Sequence, residues 1–315
     1  ERLHLGKMLL VNTVQGKVLN DEEVKEYYAK KQPYGEWLDS YLVQLKDIKI
    51  PNLPVEEYTK EERMRLQKAF GYTYEEYRSS IGKMALNGVE ATASMGIDTP
   101  LAVLSHEHQP LFNYFKQLFA QVTNPPIDCI REEIVTSTSV YVGRDGNLLE
   151  EEPKNCQVLK INNPILTNTD MLKIKNMKVE GFKAVTVPIT YYKSAPLDRA
   201  MDRLFVEVDR AHRAGANILI LSDRGVDENH VAIPSLLAVS AVHQHLVKTK
   251  KRTSLAIILE SGEPREVHHF ATLLGYGACA INPYLALDTI HELIEEGMIK
   301  KDYYAAVEDY NHAVI

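Results

Sequence analysis

Four polar side chains follow apolar runs in the C-terminal half of the chain, and their types suit chemistry. Asp223 and Arg224 come directly after the run ILILS, Glu260 ends the run LAIILE, and Asn282 ends the run ACAIN. An arginine can hold a carboxylate or a phosphate through paired hydrogen bonds, and a glutamate can act as a general base. The same residues could instead form a buried ion-pair network that fixes the strand ends, and the pattern leaves both interpretations open.

A regular alternation of strands and helices positions these residues. The pattern predicts strands at 184–190, 217–221, 255–259 and 278–281, and helices at 196–214, 234–248, 263–274 and 285–297. Continuous apolar strands indicate burial on both faces of a parallel sheet, whose ligand sites lie at the carboxyl ends of the strands. We therefore predict an α/β domain that is either doubly wound or part of a barrel, because these repeats are too few for a full eight-stranded barrel.

Other motifs that could hold a nucleotide or a metal lack the required context. The string from Gly275 to Ala280 has the letters of a dinucleotide fingerprint, but it follows a helix and leads into a strand, the reverse of what that site needs. The pairs His243/His245 and His268/His269 have no zinc-site spacing, and the three cysteines form no CxxC motif. We interpret these histidines as packing residues and Gly277 as part of a tight turn.

The N-terminal half reads as helical after a short hairpin. Capping-box patterns at Asn20/Glu23, Thr59/Glu62 and Thr73/Glu76 predict helix starts, and the apolar run 8–19 with Gln15-Gly16 at its centre predicts a hairpin. Residues 39–58 are interpreted as a linker and Leu101–Leu104 as a short strand.

A rigid corner follows in the central part of the chain. Apolar positions from Leu111 to Val122 repeat with helical spacing after Pro110, and Asn124-Pro125-Pro126 ends that predicted helix. Asp128 is predicted to cap a second helix that begins at Cys129. Amides and charges are concentrated around this corner. They can either satisfy backbone groups at the helix ends or form a functional surface.

Composition narrows the class of protein. The chain has 315 residues and a formal net charge of -7, which argues against a nucleic-acid surface. No apolar run is long enough to cross a membrane, and the odd cysteine count fits a reducing, cytoplasmic compartment. Because the chain starts at Glu1 rather than at a methionine, we expect a piece excised from a longer protein.

Long strings of the sequence resemble the central region of the glutamate synthase large subunit. They include SMGIDTPLAVLS, FKQLFAQVTNPPID, IPSLLAVSAVHQHL and EPREVHHFATLLGYGACAINPYLA, and the likeness extends over essentially the whole chain. Cys129 stands where that family usually has proline. The resemblance implies a tail of the linker from glutaminase to central domain at 1–38 and the central domain at 39–315. Within the latter it implies a helical part at about 59–133 and β/α repeats at about 184–297.

The resemblance also implies a fold and a role. The fold is an incomplete TIM-barrel-like parallel β/α domain with an additional N-terminal helical region. The role is a non-catalytic connector that spaces the glutaminase and FMN sites and helps to line an ammonia tunnel, in an enzyme that makes two glutamates from glutamine, 2-oxoglutarate and reductant. No cofactor is expected in this chain, while FMN and an iron–sulfur cluster belong to the rest of the parent enzyme. The glutaminase and FMN-binding domains of the same parent chain are the expected partners.

The resemblance also indicates which residues face other domains. Residues facing the neighbouring domains or the tunnel are expected on the 94–99 loop and the 117–132 corner, namely Ser94, Met95, Gly96, Asp98, Thr99, Gln117, Gln121, Thr123, Asn124, Asp128, Arg131 and Glu132. Two alternatives stay open. One is a partial barrel that retains flavin or acidic-metabolite binding at its strand ends, and the other is a regulatory module that couples glutaminase to synthase activity.

Overall fold

A computed structural model describes residues 3–93, 101–116, 119 and 126–315. Its centre is a parallel sheet of the strands Ala184–Pro188, Ile218–Ser222, Ala256–Glu260 and Ala280–Asn282, which lie side by side in that order. The strands and helices of the described residues have the following bounds: β1 Leu10–Asn12, β2 Lys17–Leu19, α1 Asp21–Ala29, α2 Tyr34–Tyr41, β3 Val43–Gln44, α3 Lys60–Ala69, α4 Gly82–Asn87, α5 Cys129–Val135, β4 Val140–Gly143, β5 Val158–Ile161, α6 Asn168–Lys175, β6 Ala184–Pro188, β7 Thr190–Tyr192, α7 Leu197–Arg213, β8 Ile218–Ser222, β9 His230–Ala232, α8 Ser235–Lys248, β10 Ala256–Glu260, α9 Val267–Gly275, β11 Ala280–Asn282, α10 Tyr284–Glu295 and α11 Tyr303–Val314.

The C-terminal half confirms the predicted α/β class. Each predicted strand of the β/α repeats is present within a few residues, and a helix follows each one along the chain. The four parallel strands lie in the sheet in the order in which they occur along the chain, while β7 and β9 pair with each other in a separate two-stranded sheet; this is the order of a barrel segment and not that of a doubly wound sheet. The barrel-like part of the prediction is not confirmed, because the sheet stays open with four strands among the described residues.

The two faces of the parallel sheet pack against different layers. Leu219 and Leu221 of β8 point into a large core with the helices α7 to α11, whereas Ile218 and Ile220 point into a second core. That second core is covered by α6 and by a small sheet of order β3-β5-β4. Apolar neighbours on both sides explain why the strands read as unbroken apolar runs.

The N-terminal region begins with a hairpin and continues as helices, as predicted. Strands β1 and β2 pair antiparallel, with Leu10 opposite Leu19. The three predicted capping boxes form, and Asn20, Thr59 and Thr73 each accept a hydrogen bond from the backbone amide three residues later. Residues 74–87 form one helical stretch with a π turn at Glu76–Ile81.

Three local predictions in the first half of the chain need correction. A 3₁₀ helix at Leu111–Phe115 replaces the start of the long helix predicted at 111–122, and most of the remainder of that stretch lies outside the described residues. Leu101–Leu104 is not a strand, since Ala102–Leu104 is a 3₁₀ turn. The predicted linker 39–58 contributes strand β3, which pairs with β5.

Candidate functional site

The carboxyl ends of β8 and β10 place three of the four predicted site residues together. Arg224 donates from Nε to a carboxylate oxygen of Glu260 at 2.9 Å. Glu260 also accepts hydrogen bonds from Lys175 Nζ at 2.7 and 2.8 Å and from Ser222 Oγ at 2.6 Å. With only 2% of Glu260 exposed, this carboxylate is buried between two cations and a hydroxyl group.

Electrostatics keep Glu260 ionised in its buried position. Burial by itself raises the pKa of this carboxyl, but the charge of Arg224 and the hydrogen bonds from Lys175 and Ser222 outweigh it, so the pKa lies below its ordinary value. A glutamate held in this way is a poor general base at neutral pH, because its charge is already committed to two cations.

Arg224 is likewise committed to partners within the chain. Its Nη1 donates to the Tyr58 hydroxyl at 2.8 Å and lies 3.2 Å from a carboxylate oxygen of Glu56. Its guanidinium stands 4.1 Å from the centre of the Tyr284 ring, within the range of a cation–π contact. Two of its three nitrogens are thus engaged by groups of the chain itself.

Asp223 lies beside this network and serves the turn after β10. Its carboxylate accepts hydrogen bonds from Ser261 Oγ and from the backbone amide of Gly262, the latter at 3.0 Å. Burial raises the pKa of Asp223 to about 7, against the hydrogen bonds from Ser261 and Gly262, which lower it.

Asn282, the fourth predicted residue, faces a different neighbour. Its Nδ2 donates to the Leu166 carbonyl at 2.9 Å and to Asn168 Oδ1 at 3.1 Å. The Asn282 side chain therefore ties the end of β11 to the start of α6 instead of joining the Arg224–Glu260 pair.

Aromatic residues of the N-terminal region cover the end of β10. The Tyr72 hydroxyl donates to the Gly262 carbonyl at 2.9 Å. The Phe70 ring stands so close that a Cβ atom at Gly262 would lie 2.7 Å from it. This close approach requires glycine, and it shows how tightly the helical region seals this edge of the sheet.

Arg265 holds the same helical region against the end of β10, and no sequence pattern points to it. This side chain is 1% exposed and hydrogen-bonds to Glu76 and to the backbone carbonyls of Phe70 and Gly71. Its guanidinium also lies 4.3 Å from the Tyr72 ring centre. A lone arginine whose partners are almost two hundred positions away leaves no local signal. Lys175 and Tyr58 were missed for the same reason.

The residues expected to face neighbouring domains are only partly described. Ser94, Met95, Gly96, Asp98, Thr99, Gln117, Gln121, Thr123 and Asn124 lie outside the described residues. Asp128, Arg131 and Glu132 are exposed, and Asp128 caps α5 as predicted by accepting from the amides of Ile130 and Arg131 at 3.1 and 2.9 Å. The same short helix exposes Ile130 and Ile134, at 81% and 79%.

The histidines considered as metal ligands lie in packing positions. His269 is buried against the Phe112 ring, and burial, with the nearby charge of Arg265, lowers its pKa well below the ordinary value. His245 hydrogen-bonds to Asp209, and His243 accepts from Arg252. Gly277 forms the predicted tight turn with a φ of +115°. Within the described ranges no group of three or more His, Cys, Asp or Glu side chains is arranged to hold a metal, and no described helix is long and apolar enough to cross a membrane.

Comparison with protein families assigns both parts of this architecture. The family model described as the glutamate synthase central domain matches residues 65–315, and that of the class-II glutamine amidotransferases matches residues 1–37. The segment that forms the open parallel β/α sheet therefore matches a domain of glutamate synthases. The chain belongs to the glutamate synthase central domain family.

Individual relatives agree with this assignment. The chain is 44% identical to the glutamate synthase (NADPH) large chain of Bacillus subtilis (strain 168), over 99% of this chain and 20% of that protein. It is 38% identical to glutamate synthase (NADH) of Schizosaccharomyces pombe, over 99% of this chain and 16% of the relative. It is 36% identical to ferredoxin-dependent glutamate synthase 2 of Synechocystis sp., over 99% of this chain and 21% of that protein. The chain thus spans about a fifth or less of the length of these relatives.

Proposed function

We propose that this chain is the non-catalytic connecting domain of a glutamate synthase large subunit. It spaces the glutaminase site from the FMN site and helps to line the route of ammonia between them. The parent enzyme would convert glutamine, 2-oxoglutarate and reductant into two molecules of glutamate. FMN and an iron–sulfur cluster would be held by other parts of that enzyme, and no cofactor is proposed for this segment.

One observation carries the proposal, namely the state of the carboxyl edge of the parallel sheet. In parallel β/α folds this edge normally offers free polar groups to a ligand. Here Glu260 is engaged by Lys175, Ser222 and Arg224, and Arg224 is further engaged by Tyr58 and Glu56. An edge whose charges satisfy one another serves to hold the domain rigid.

The same contacts argue against a flavin at this edge. Binding the phosphate of FMN requires a cation or several backbone amides that point into open space. Arg224 is neutralised by two carboxylates, and the amide of Gly262 already donates to Asp223. The residues present therefore do not fit the cofactor without first breaking buried ion pairs.

A second observation supports a role in contact with other domains. The short helix α5 exposes Ile130 and Ile134, which are four residues apart and so share one face. Large apolar side chains this exposed are typical of surfaces that a partner covers. The face lies directly beside Asp128, Arg131 and Glu132, which the resemblance assigned to the domain interface.

Titration of this chain with FMN, followed by flavin fluorescence, tests the non-catalytic proposal. We expect no saturable change in flavin fluorescence at flavin concentrations up to about 100 µM. A dedicated cofactor site would bind more tightly than this and would therefore be filled. Saturable binding that Arg224→Ala abolishes, while Arg213→Ala on the exposed end of α7 leaves it intact, would favour the alternative in which the strand ends retain a flavin site.

A further inference from the structure

A long groove beside the sheet edge has a strongly acidic lining. Its volume is about 1080 Å³, and it is lined by Ile50, residues 55–58, Arg63, Asn163, residues 167–170, and the facing sides of α10 and α11. Glu57 and Glu308 are exposed in it. Among the described residues that line it, Arg63 is the one permanently charged cation, and it is already paired with Asp288 at 2.6 Å and with Glu295 at 3.3 Å.

A buried amide in the same groove lacks a donor. Asn311 lines the groove and is only 7% exposed, and its Oδ1 accepts no hydrogen bond from the described residues. That oxygen is enclosed by protein atoms, so a ligand in the groove does not reach it. The acceptors that a partner would meet are the exposed carboxylates of Glu57 and Glu308, which have no ion-pair partner among the described residues, and they favour a partner rich in N–H donors.

The groove also offers apolar contact along one face of α11. Tyr304 is 74% exposed and Ile315 is 55% exposed, and both line the groove together with Glu308 and Asn311. These positions recur at helical spacing, so the acidic and apolar groups form one continuous stripe. Tyrosine faces attract guanidinium and ammonium groups, which adds to the preference for a cationic partner.

We infer that this groove docks a basic segment, rich in Arg or Lys with apolar residues between them, from another part of the same glutamate synthase subunit. Charge complementarity sets the chemistry of the partner, since a groove with acidic and acceptor groups favours a cationic segment. The choice of the same subunit rests on the proposed function and on the length of the relatives, of which this chain spans about a fifth.

Carboxyl footprinting of the purified parent large subunit tests the inference. A carbodiimide with glycine ethyl ester labels accessible carboxylates, and mass spectrometry reads the label at each residue. At about 0.1 M salt we expect Glu57 and Glu308 to be labelled much less than the exposed Glu180, which serves as an internal control. At about 1 M salt the protection should fall, because screening weakens an ionic contact at the groove rim. The protection should not change on dilution.

Three results would overturn the inference. Equal labelling of Glu57, Glu308 and Glu180 at low salt means that the groove is open. Protection that does not respond to salt means that the cover is not basic, and protection that disappears on dilution means that it comes from a second copy. The paired variant Glu57→Gln with Glu308→Gln should also speed hydrogen exchange in α11, whereas Glu180→Gln should not. None of these measurements depends on enzyme activity, so a result that overturns the groove inference would not contradict the proposed connector function.

Discussion

At the scale of single residues, Glu260 holds the edge of the sheet together. Its carboxylate is 2% exposed and is shared by Lys175, Arg224 and Ser222. Lys175 keeps 29% of its side chain exposed, and Arg224 has a second carboxylate partner in Glu56. Loss of the Glu260 charge therefore leaves Lys175 to water and Arg224 to Glu56, but it weakens the hydrogen bonds that converge on this buried position.

Glu260→Gln should consequently lower the free energy of unfolding by about 1–3 kcal/mol. Urea denaturation monitored by circular dichroism measures the change. Glu180→Gln is the matched control at an exposed position, and it should alter the free energy by no more than about 0.5 kcal/mol. A loss at Glu260 no larger than that of the control would show that the network is not structural and would reopen the edge as a candidate site.

Asp223 gives the strand edge a pH dependence of a defined sign. Its pKa is raised from 3.8 to about 7 by burial, so the folded state binds the proton more tightly than the unfolded state does. The contribution of this group to stability is therefore fully present below about pH 4 and is lost as the pH rises toward about 7.

Comparison of the chain with its Asp223→Asn variant isolates this effect. The difference in free energy of unfolding, native chain minus variant, should fall between about pH 4 and about pH 7 and stay constant above about pH 8. Urea titrations at several pH values provide the measurement. A difference that does not change over this range would mean that Asp223 is ionised in the folded chain at low pH, contrary to its burial.

At the scale of elements, the turn between α9 and β11 tests how closely the helices pack. Gly277 has a φ of +115°, and a Cβ atom there would lie 2.5 Å from the His243 ring. Gly277→Ala should therefore lower the free energy of unfolding by about 1–3 kcal/mol. Gly275→Ala, which meets no atom within 4 Å at the end of α9, should be neutral or slightly stabilising. Equal effects of the two variants in thermal unfolding would contradict this account of the turn.

The β/α repeats could be predicted from sequence because their signals are local. Runs such as ILILS and AIILE are buried on both faces, and the helices between them carry apolar stripes, so each element is specified by its own residues. The capping boxes are local for the same reason, since Thr59 and Thr73 hydrogen-bond only three residues ahead.

The segment after Pro110 shows why other elements could not be predicted. Apolar residues from Leu111 to Phe115 have helical spacing, yet the chain forms only a 3₁₀ turn there. The Phe112 carbonyl hydrogen-bonds to His268 Nε2 at 3.0 Å, and the Phe112 ring stacks on the His269 ring. These contacts with a distant helix use the carbonyl that an α-helix would have bonded to the amide of Lys116, so tertiary structure overrides the local pattern.

Only part of the candidate site could be predicted from the sequence, since Asn282 lies apart from the other three residues and Lys175 and Tyr58 were not foreseen. Strand-end position identified Asp223, Arg224 and Glu260 as neighbours, because the ends of parallel strands meet at one edge. Whether these charges were free for a ligand depended on Lys175, Tyr58 and the cover fastened by Arg265, whose partners lie far away in sequence. Sequence spacing cannot report contacts of that kind.

At the scale of the whole molecule, the proposed connector role assigns two surfaces to contacts with neighbouring domains. One is the exposed face of α5 with Ile130 and Ile134, and the other is the acidic groove beside α11. At the carboxyl edge of the parallel sheet, Glu260 and Arg224 already pair with each other and with their neighbours. On the function proposed above, the domain holds its neighbours in position and leaves the chemistry to them.

The coupling ratio of the parent enzyme tests this central claim most directly. The ratio compares glutamine hydrolysed with 2-oxoglutarate converted, and it should be measured in the parent subunit before and after Ile130→Asp is combined with Ile134→Asp. We expect glutamine hydrolysis and the synthase reaction with added ammonia to continue at native rates, while the excess glutamine is hydrolysed to glutamate and free ammonia without conversion of 2-oxoglutarate. A native ratio, or a loss of the ammonia-driven reaction itself, would contradict the assignment of this chain as a non-catalytic connector.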